Sequence, residues 1–182
     1  MKNNNISIKD IFFILENPSE LKLNSSTKKE INKSYERVQK IAKNEKAVYG
    51  INTGFGPLCT KKVSSKETKS LQEKLLLSHS VGLGNPISPD LSKLMLICKT
   101  KSLSKGFSGI RLKVLDRIIY FLQNNLTPLV PEKGSVGASG DLAPLAHLFL
   151  PLIGEGFFWD GIKKIDATKV LKKHNLKPII LH

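Results

Sequence analysis

The sequence predicts a mainly α-helical protein in which residues 1–182 form a single domain, with Gly- and Pro-rich loops between the helices and a small β-hairpin near residues 157–165. Apolar side chains recur every three or four residues in several segments, which is the spacing that places them on one face of a helix. Residue types that begin helices precede most of these segments. At 182 residues, 40% of them hydrophobic and 24% charged, the chain is long enough to bury a substantial core.

Two helices are predicted in the N-terminal region. Ser7 is placed to cap a short first helix, and Pro18 would end it. The residues expected to face inward from this helix are Ile8, Ile11, Phe12 and Leu15. Thr27 and Glu30 then form the pattern of a capping box, which would begin a second helix. The inward face expected of the second helix carries Ile31, Tyr35, Val38 and Ala42.

Three more helices are predicted in the middle of the chain. Ser64 and Glu67 form a second capping-box pattern, Ser88 followed by Pro89 is a typical helix start, and Ser108 is placed to begin another helix. The inward residues expected are Leu71, Leu75 and His79 in the first, Leu91, Leu94, Met95 and Cys98 in the second, and Ile110, Val114, Ile118 and Phe121 in the third.

The last third of the chain predicts shorter elements. An irregular loop is expected over residues 128–140, followed by an apolar helix over residues 142–152. Asp160–Gly161, between two apolar stretches, predicts the turn of a small β-hairpin. A short helix that begins at Asp166 and an extended tail are expected to complete the domain.

The net charge of +14 raises the alternative of a basic module that binds nucleic acid or an anionic membrane. The positive residues are almost all lysines, spread from Lys2 to Lys177, and the arginines are Arg37, Arg111 and Arg117. Proteins that read DNA sequence favour arginine forks at the bases. We therefore expect a lysine-rich solvated surface, with neither a specific nucleic acid nor a membrane as partner.

Cysteine content and the N-terminal sequence predict the compartment. Cys59 and Cys98 are the only cysteines, and they lie far apart without metal-ligand spacing. The N-terminal residues lack the apolar stretch of a secretory signal, and no apolar run is long enough to span a bilayer. We expect a cytoplasmic protein with reduced cysteines and no bound metal.

The segment Gly134–Asp141 has a glycine at every third position. It lacks the Gly-Lys-Ser/Thr ending of a P-loop, and its glycine spacing differs from that of the dinucleotide-binding fingerprint. It also lacks the strand–turn–helix context of a nucleophile elbow. Because glycine tolerates conformations that other residues avoid, such a loop can approach itself closely. Taken alone, the segment is compatible with an ordinary turn before a helix.

Four segments in the same chain give this loop another interpretation. The segment Pro131–His147 closely resembles the signature of the aromatic amino acid ammonia-lyases, and Tyr49–Gly56 resembles a second hallmark of that family. Leu77–His79 and Ser104–Arg111 match further segments, in the family's order. The resemblance covers nearly the whole chain. It is a resemblance to the N-terminal portion only, so we expect the chain to be the family's N-terminal domain without its C-terminal helical region.

The resemblance implies a cofactor that the chain makes from itself, a methylideneimidazolone (MIO) ring. In the family, the amide nitrogen of Gly140 would attack the carbonyl carbon of Ala138, and two water molecules would leave, one of them from the side chain of Ser139. The helix that follows Asp141 would point its positive end at the ring. No nicotinamide, flavin, pyridoxal phosphate or other external cofactor is implied.

The resemblance also implies roles for side chains outside the triplet. Tyr49 aligns with the tyrosine that removes the β-proton of the substrate. The dipeptide Ser78–His79 is that of members acting on histidine, where phenylalanine-specific members carry Phe-Leu and tyrosine-specific members His-Leu. His79 is expected to hold the substrate imidazole through a hydrogen bond. The residues expected to support the loops are Asn52, Thr53, Gly54 and Asp141. His147, on the helix after the triplet, is interpreted as structural.

The implied reaction is the non-oxidative elimination of ammonia from L-histidine, which gives trans-urocanate. Family enzymes are homotetramers whose active sites combine three subunits, so we expect little or no turnover from these 182 residues alone. The alternatives are a catalytically inactive remnant of such an enzyme, a lyase for tyrosine or phenylalanine, and a basic binding module.

Overall fold

The computed structural model describes residues 7–44, 46–56, 63, 65–137 and 140–181. In these ranges the chain forms seven α-helices and two antiparallel two-stranded sheets. The helices are α1 (Ile8–Glu16), α2 (Ser25–Lys43), α3 (Ser65–His79), α4 (Pro89–Leu103), α5 (Leu112–Gln123), α6 (Leu142–Phe149) and α7 (Ala167–Lys173). The strands are β1 (Leu83–Pro86), β2 (Pro131–Lys133), β3 (Phe157–Asp160) and β4 (Lys163–Asp166). The prediction of a mainly α-helical fold with a small hairpin is confirmed.

Helix α1 begins where the sequence predicts, but it buries a different face. The Ser7 hydroxyl accepts a hydrogen bond from the Asp10 amide at 3.2 Å, and the Asp10 carboxylate accepts one from the Ser7 amide at 2.8 Å. Ile14 is the buried residue of the helix, whereas Ile8 and Phe12 are mostly exposed. The predicted inward face is therefore wrong for Ile8 and Phe12, although Leu15 packs against the core as expected. Helix α1 packs mainly against α4, so only a narrow stripe of this short helix is covered.

Helix α2 begins two residues before the predicted capping box. The Asn24 side chain caps it by accepting a hydrogen bond from the Thr27 amide at 2.8 Å. Asparagine is at least as favourable as threonine at this position, and an earlier start adds residues to the helix. Thr27 is consequently buried in the first turn, and the predicted Thr27 cap is wrong. Ile31 is fully buried, as expected.

Helix α4 has the predicted start and an unpredicted face. The Ser88 hydroxyl accepts from the Leu91 amide at 3.3 Å. The residues that α4 buries are Ser92, Leu96, Ile97 and Thr100, whereas Leu91 and Cys98 are exposed. Two polar residues can lie inward because their hydroxyls donate to backbone carbonyls, Ser92 to Pro128 at 2.5 Å and Thr100 to Leu96 at 2.7 Å.

Helix α5 begins at Leu112 rather than at Ser108, because the preceding segment passes close to α2. Gly109 has a φ of 63°, and a Cβ placed on it would lie 2.4 Å from the nearest Val38 methyl carbon. The predicted inward residues of the helix itself are buried, namely Val114, Ile118 and Phe121. Phe121 meets Phe158 of β3 edge to face, with ring centroids 5.0 Å apart. This contact joins the helices and the hairpin in one core.

The C-terminal elements follow the prediction with shifts of a few residues. Helix α6 gives way to a 3₁₀ turn over Leu150–Ile153, and the expected irregular loop before α6 contains strand β2. Asp160 pairs with Lys163, so Gly161 and Ile162 form the hairpin turn in place of the predicted Asp160–Gly161 pair. Among the described residues, no helix is both long and apolar enough to cross a bilayer.

Candidate active site

Tyr49 lies in the tight loop that follows α2, with its ring directed outward. Its side chain is 63% exposed and contacts Phe55 edge to face, with ring centroids 5.8 Å apart. The backbone turns because the amides of Ile51 and Asn52 both donate to the Val48 carbonyl, at 3.1 and 3.2 Å. Gly50 permits this turn with a φ of 75°.

The side chain of Asn52 fixes the backbone of the Tyr49 loop. Asn52 is only 2% exposed. Its side-chain oxygen accepts from the Val48 amide at 2.7 Å, and its nitrogen donates to the carbonyls of Asn44 and Lys46 at 3.3 and 3.0 Å. Because one side-chain amide at the end of the turn binds three backbone groups that precede it, the loop has little freedom to rearrange.

Two small residues follow Asn52 in the same buried stretch. Thr53 and Gly54 are both buried, and the Thr53 hydroxyl donates to the Gly54 carbonyl at 3.0 Å. The three predicted supporting residues therefore form the buried base of the loop, and Tyr49 projects from it.

His79 is the last residue of α3 and is half-buried. Its Nδ1 atom lies 2.8 Å from the Leu75 carbonyl oxygen and 3.1 Å from the Ser78 hydroxyl. Because a carbonyl oxygen only accepts, Nδ1 carries the proton. In the neutral ring, Nε2 then has a lone pair that can accept a hydrogen bond from a ligand.

The predicted triplet lies in a loop that joins β2 to α6. Ala138 and Ser139 lie outside the described residues. On either side of them, Gly137 and Gly140 are exposed and have φ values of 70° and 81°. A Cβ placed on either glycine would have no heavy atom within 4 Å. The described ends of the triplet region are therefore open, in conformations that L side chains rarely adopt.

Asp141 closes this loop and begins α6. It has a left-handed backbone, with a φ of 59°, and its carboxylate accepts a hydrogen bond from the Ser135 hydroxyl. The contact ties the two ends of the loop together. No side chain in the described part of the chain caps the first turn of α6, so its amide groups and the positive end of its dipole remain available to negative charge.

The structure brings the end of α3 against the start of the triplet loop. Strand β1, which follows α3 closely, pairs antiparallel with β2. A Cβ placed on Gly134 would lie 3.0 Å from the Gly82 Cα atom. The Gly82 amide donates to Nε2 of His147 on α6 at 2.9 Å. His147 joins segments 65 residues apart, and nothing in the local pattern around it could have predicted that bond.

The ring of Tyr49 makes its aromatic contact within its own loop. Among the described residues, no hydrogen bond, ion pair or ring contact joins Tyr49 to His79 or to Gly140. An open cavity of about 1010 Å³ lies beside the loop, with walls formed by α2, Gly50, Ile51 and the residues leading into α5. Tyr49, His79 and Gly140 do not line it. In the described part of the chain, no group of three His, Cys, Asp or Glu residues is placed to hold a metal ion.

A family model described as aromatic amino acid lyase matches residues 6–182. The chain belongs to this family. Among curated relatives of the chain, the histidine ammonia-lyases of Salmonella typhimurium and Salmonella paratyphi B are each 42% identical to it over 177 residues. The matches cover 97% of this chain and 35% of each relative, so the chain spans about a third of the length of the curated relatives that it matches. The predicted resemblance is confirmed.

Solved structures show the same fold. The tyrosine aminomutase of Streptomyces globisporus superposes with a TM-score of 0.91 at 28% identity, over 99% of this chain and 34% of that one. The histidine ammonia-lyase of Trypanosoma cruzi superposes with a TM-score of 0.82 at 31% identity, over 94% of this chain and 34% of that one. The arrangement of helices and loops is therefore that of the aromatic amino acid lyases.

Proposed function

We propose that this chain supplies the N-terminal part of the active site of an ammonia-lyase that converts L-histidine to trans-urocanate and ammonia. The observation that carries the proposal is the 42% identity to histidine ammonia-lyases along 97% of the chain. The Ser78–His79 dipeptide, which matches the histidine-specific branch, supports the same substrate.

We propose that Ala138, Ser139 and Gly140 form the MIO ring. The residue types fit the ring, since Ser139 has a hydroxyl that can be lost and Gly140 has an unhindered amide. The open, left-handed conformations of Gly137 and Gly140 support the fit, because a chain that folds back on itself needs residues without side chains at its bends. The ring supplies an electrophile, which no ordinary side chain provides.

Tyr49 is the proposed base. Its oxygen takes the proton as the C–H bond at the substrate β-carbon breaks, the electron pair of that bond forms the new double bond, and ammonia leaves with the electrons of the C–N bond. The fixed backbone around Asn52 supports this role, because a general base must be held within hydrogen-bonding reach of its proton. The exposed ring of Tyr49 is free to meet a substrate.

His79 is the proposed contact to the substrate side chain. With its proton held on Nδ1 by the Leu75 carbonyl, its Nε2 atom accepts a hydrogen bond from the N–H of the substrate imidazole. The ring of phenylalanine has no N–H, so it would leave this acceptor unpaired, and unpaired buried polar groups penalise the wrong substrate strongly. Asp141 supports the loop through its contact with Ser135. The positive end of α6 favours negative charge that develops beside it.

We further propose that residues 1–182 form one domain of a homotetrameric enzyme of the cytoplasm. The hydrophobic core that the described residues share supports the domain assignment. Large apolar side chains on the surface, including Phe12, Phe13 and Phe107, support the proposal that other parts of the enzyme cover this domain. Since family sites combine three subunits, these 182 residues alone are expected to show little turnover.

The test is to express the whole product of the gene and incubate it separately with L-histidine, L-tyrosine and L-phenylalanine, while the conjugated acrylate product is followed by ultraviolet absorbance. We expect urocanate from L-histidine and no product from the other two amino acids. A preparation that acts on L-tyrosine or L-phenylalanine in preference to L-histidine would overturn the substrate assignment, and a folded tetramer inactive on all three would overturn the function.

A further inference from the structure

His147 joins the helix that follows the proposed electrophile to the segment that follows the proposed substrate contact. It lies on α6, which follows the triplet loop directly. Its Nε2 atom accepts from the amide of Gly82, which is three residues beyond His79 along the chain. A Cβ placed on Gly82 would lie 3.0 Å from that Nε2 atom and 3.1 Å from the Lys133 carbonyl oxygen. The contact therefore admits only glycine at this position without displacement.

The bond fixes the protonation state of His147. A backbone amide donates, so Nε2 must hold a lone pair, and in the neutral ring the proton is on Nδ1. Burial lowers the pKa of His147, which favours the same neutral form. The side chain therefore acts as an acceptor at neutral pH.

We propose that His147 is a positioning residue, which sets where His79 lies relative to the triplet loop by holding the Gly82 amide. The inference rests on the function proposed above. Gly82 is only three residues beyond His79 along the chain, and His147 is on the first helix after the triplet. The hydrogen bond between Gly82 and His147 therefore links the end of α3 to the helix that follows the triplet. The packing of α3 against α6 and the close approach of Gly134 to Gly82 hold the same two segments together.

Two substitutions that differ by one methylene group separate this role from a general contribution to packing. In His147→Gln, the side-chain oxygen reaches about as far as Nε2 and can accept from the Gly82 amide. In His147→Asn, the oxygen reaches only about as far as Nδ1 and leaves that amide unpaired. Both variants are polar and neither titrates, so the difference between them reports the hydrogen bond.

The primary readout is the NMR spectrum of the histidine rings in the full chain. Residues 1–182 contain four histidines, whose ring signals in the whole gene product are assigned by single substitutions. We expect the ring signals of His79 to shift and broaden in His147→Asn and to return close to their native positions in His147→Gln. His174, which is hydrogen-bonded to Tyr120 at 3.1 Å between α5 and α7, serves as the internal control and should not change.

The second readout is the turnover of L-histidine. Misplacement of a reacting group by about 1 Å can cost about 10²-fold in rate, so kcat should fall by that order in His147→Asn and by much less in His147→Gln. If His147→Asn does not fold, Gly82→Ala tests the same contact, since its Cβ would lie 3.0 Å from Nε2 and crowd the His147 ring. A smaller shift of the His79 signals than in His147→Asn is expected.

Unchanged His79 signals in His147→Asn, with only a lower melting temperature, would overturn the positioning role and leave His147 as a packing residue. Displaced His79 signals in a protein that does not act on L-histidine would retain the positioning role and overturn the proposed function. The spectrum and the kinetics therefore test the two proposals separately.

Discussion

The Tyr49 loop and the triplet loop are held in place by different kinds of contact. Asn52 holds the first through hydrogen bonds to groups within eight residues of itself. The second is glycine-rich and exposed, and its described ends are held by the Ser135–Asp141 contact and by ties to residues far along the chain. The difference indicates that the proposed base is positioned locally, whereas the proposed electrophile depends on tertiary packing.

The largest loss of turnover is expected when the triplet can no longer form the ring. Ser139→Ala should abolish turnover of L-histidine, because the hydroxyl that would leave to form the ring is absent. Ser102→Ala, at an exposed position of α4, is the matched control, since it removes a serine hydroxyl outside the proposed site. Turnover by Ser139→Ala above a trace, measured as urocanate formation, would refute the ring assignment.

A smaller loss is expected in the locally held loop. Tyr49→Phe should leave the ring intact and reduce kcat by about 10²–10⁴-fold, the range typical of the loss of a general base. Tyr35→Phe, on α2, is the control. An unchanged kcat for Tyr49→Phe would assign proton removal to another residue.

The hydrogen bonds of Asn52 that hold the Tyr49 loop can be removed while Tyr49 stays in place. Asn52→Ala leaves the Val48 amide without its partner in a partly buried turn, so the free energy of unfolding should fall by about 1–3 kcal/mol. Urea denaturation measures this loss, and Asn32→Ala, at an exposed position of α2, is the control. Equal stability of the two variants would show that the loop does not depend on Asn52.

The smallest effect expected is the pH dependence of the stability that the Gly82–His147 hydrogen bond contributes. The pKa of His147 is lowered in the folded protein by burial, so its contribution to stability is present above the unfolded value of about 6.5 and is lost as the pH falls through the folded value. Thermal melts at falling pH should show this loss in the native chain and a weaker loss in His147→Gln.

Asp10 and Asp166 also make stability depend on pH, but in a lower pH range than His147. Hydrogen bonds from Ser7 to Asp10, and from Thr168 to Asp166, lower the pKa values of these carboxyl groups below 3.8. Their contribution is present above that value and is lost at lower pH. If the melting temperature of His147→Gln fell as steeply as that of the native chain when the pH drops below about 6.5, the pH dependence would be assigned to other groups.

Local signals in the sequence predicted the elements whose causes are local. The Ser7 and Ser88 caps, the buried face of α5 and the β3–β4 hairpin depend on neighbouring residues, and the structure has them where they were expected. The start of α2 was predicted wrongly because Asn24 and Thr27, three residues apart, could each cap the helix, and Asn24 does so.

Features that depend on distant residues were not predictable in the same way. The buried face of α4 includes Ser92 because the Pro128 carbonyl, 36 residues away, accepts its proton. In the candidate site, the motif resemblance pointed to Tyr49 and His79, but the bond between His147 and Gly82 depends on the pairing of β1 with β2. Hydrophobic periodicity carries no information about such partners.

The central claim, that this chain builds its own electrophile, is tested most directly by the mass of the peptide that contains residues 138–140. A proteolytic digest of the purified native protein, compared with Ser139→Ala, gives that mass. The account predicts a native peptide lighter than its sequence mass by two water molecules, and an unmodified mass in the variant. A native peptide at its full sequence mass, in a protein that nevertheless converts L-histidine to urocanate, would contradict it.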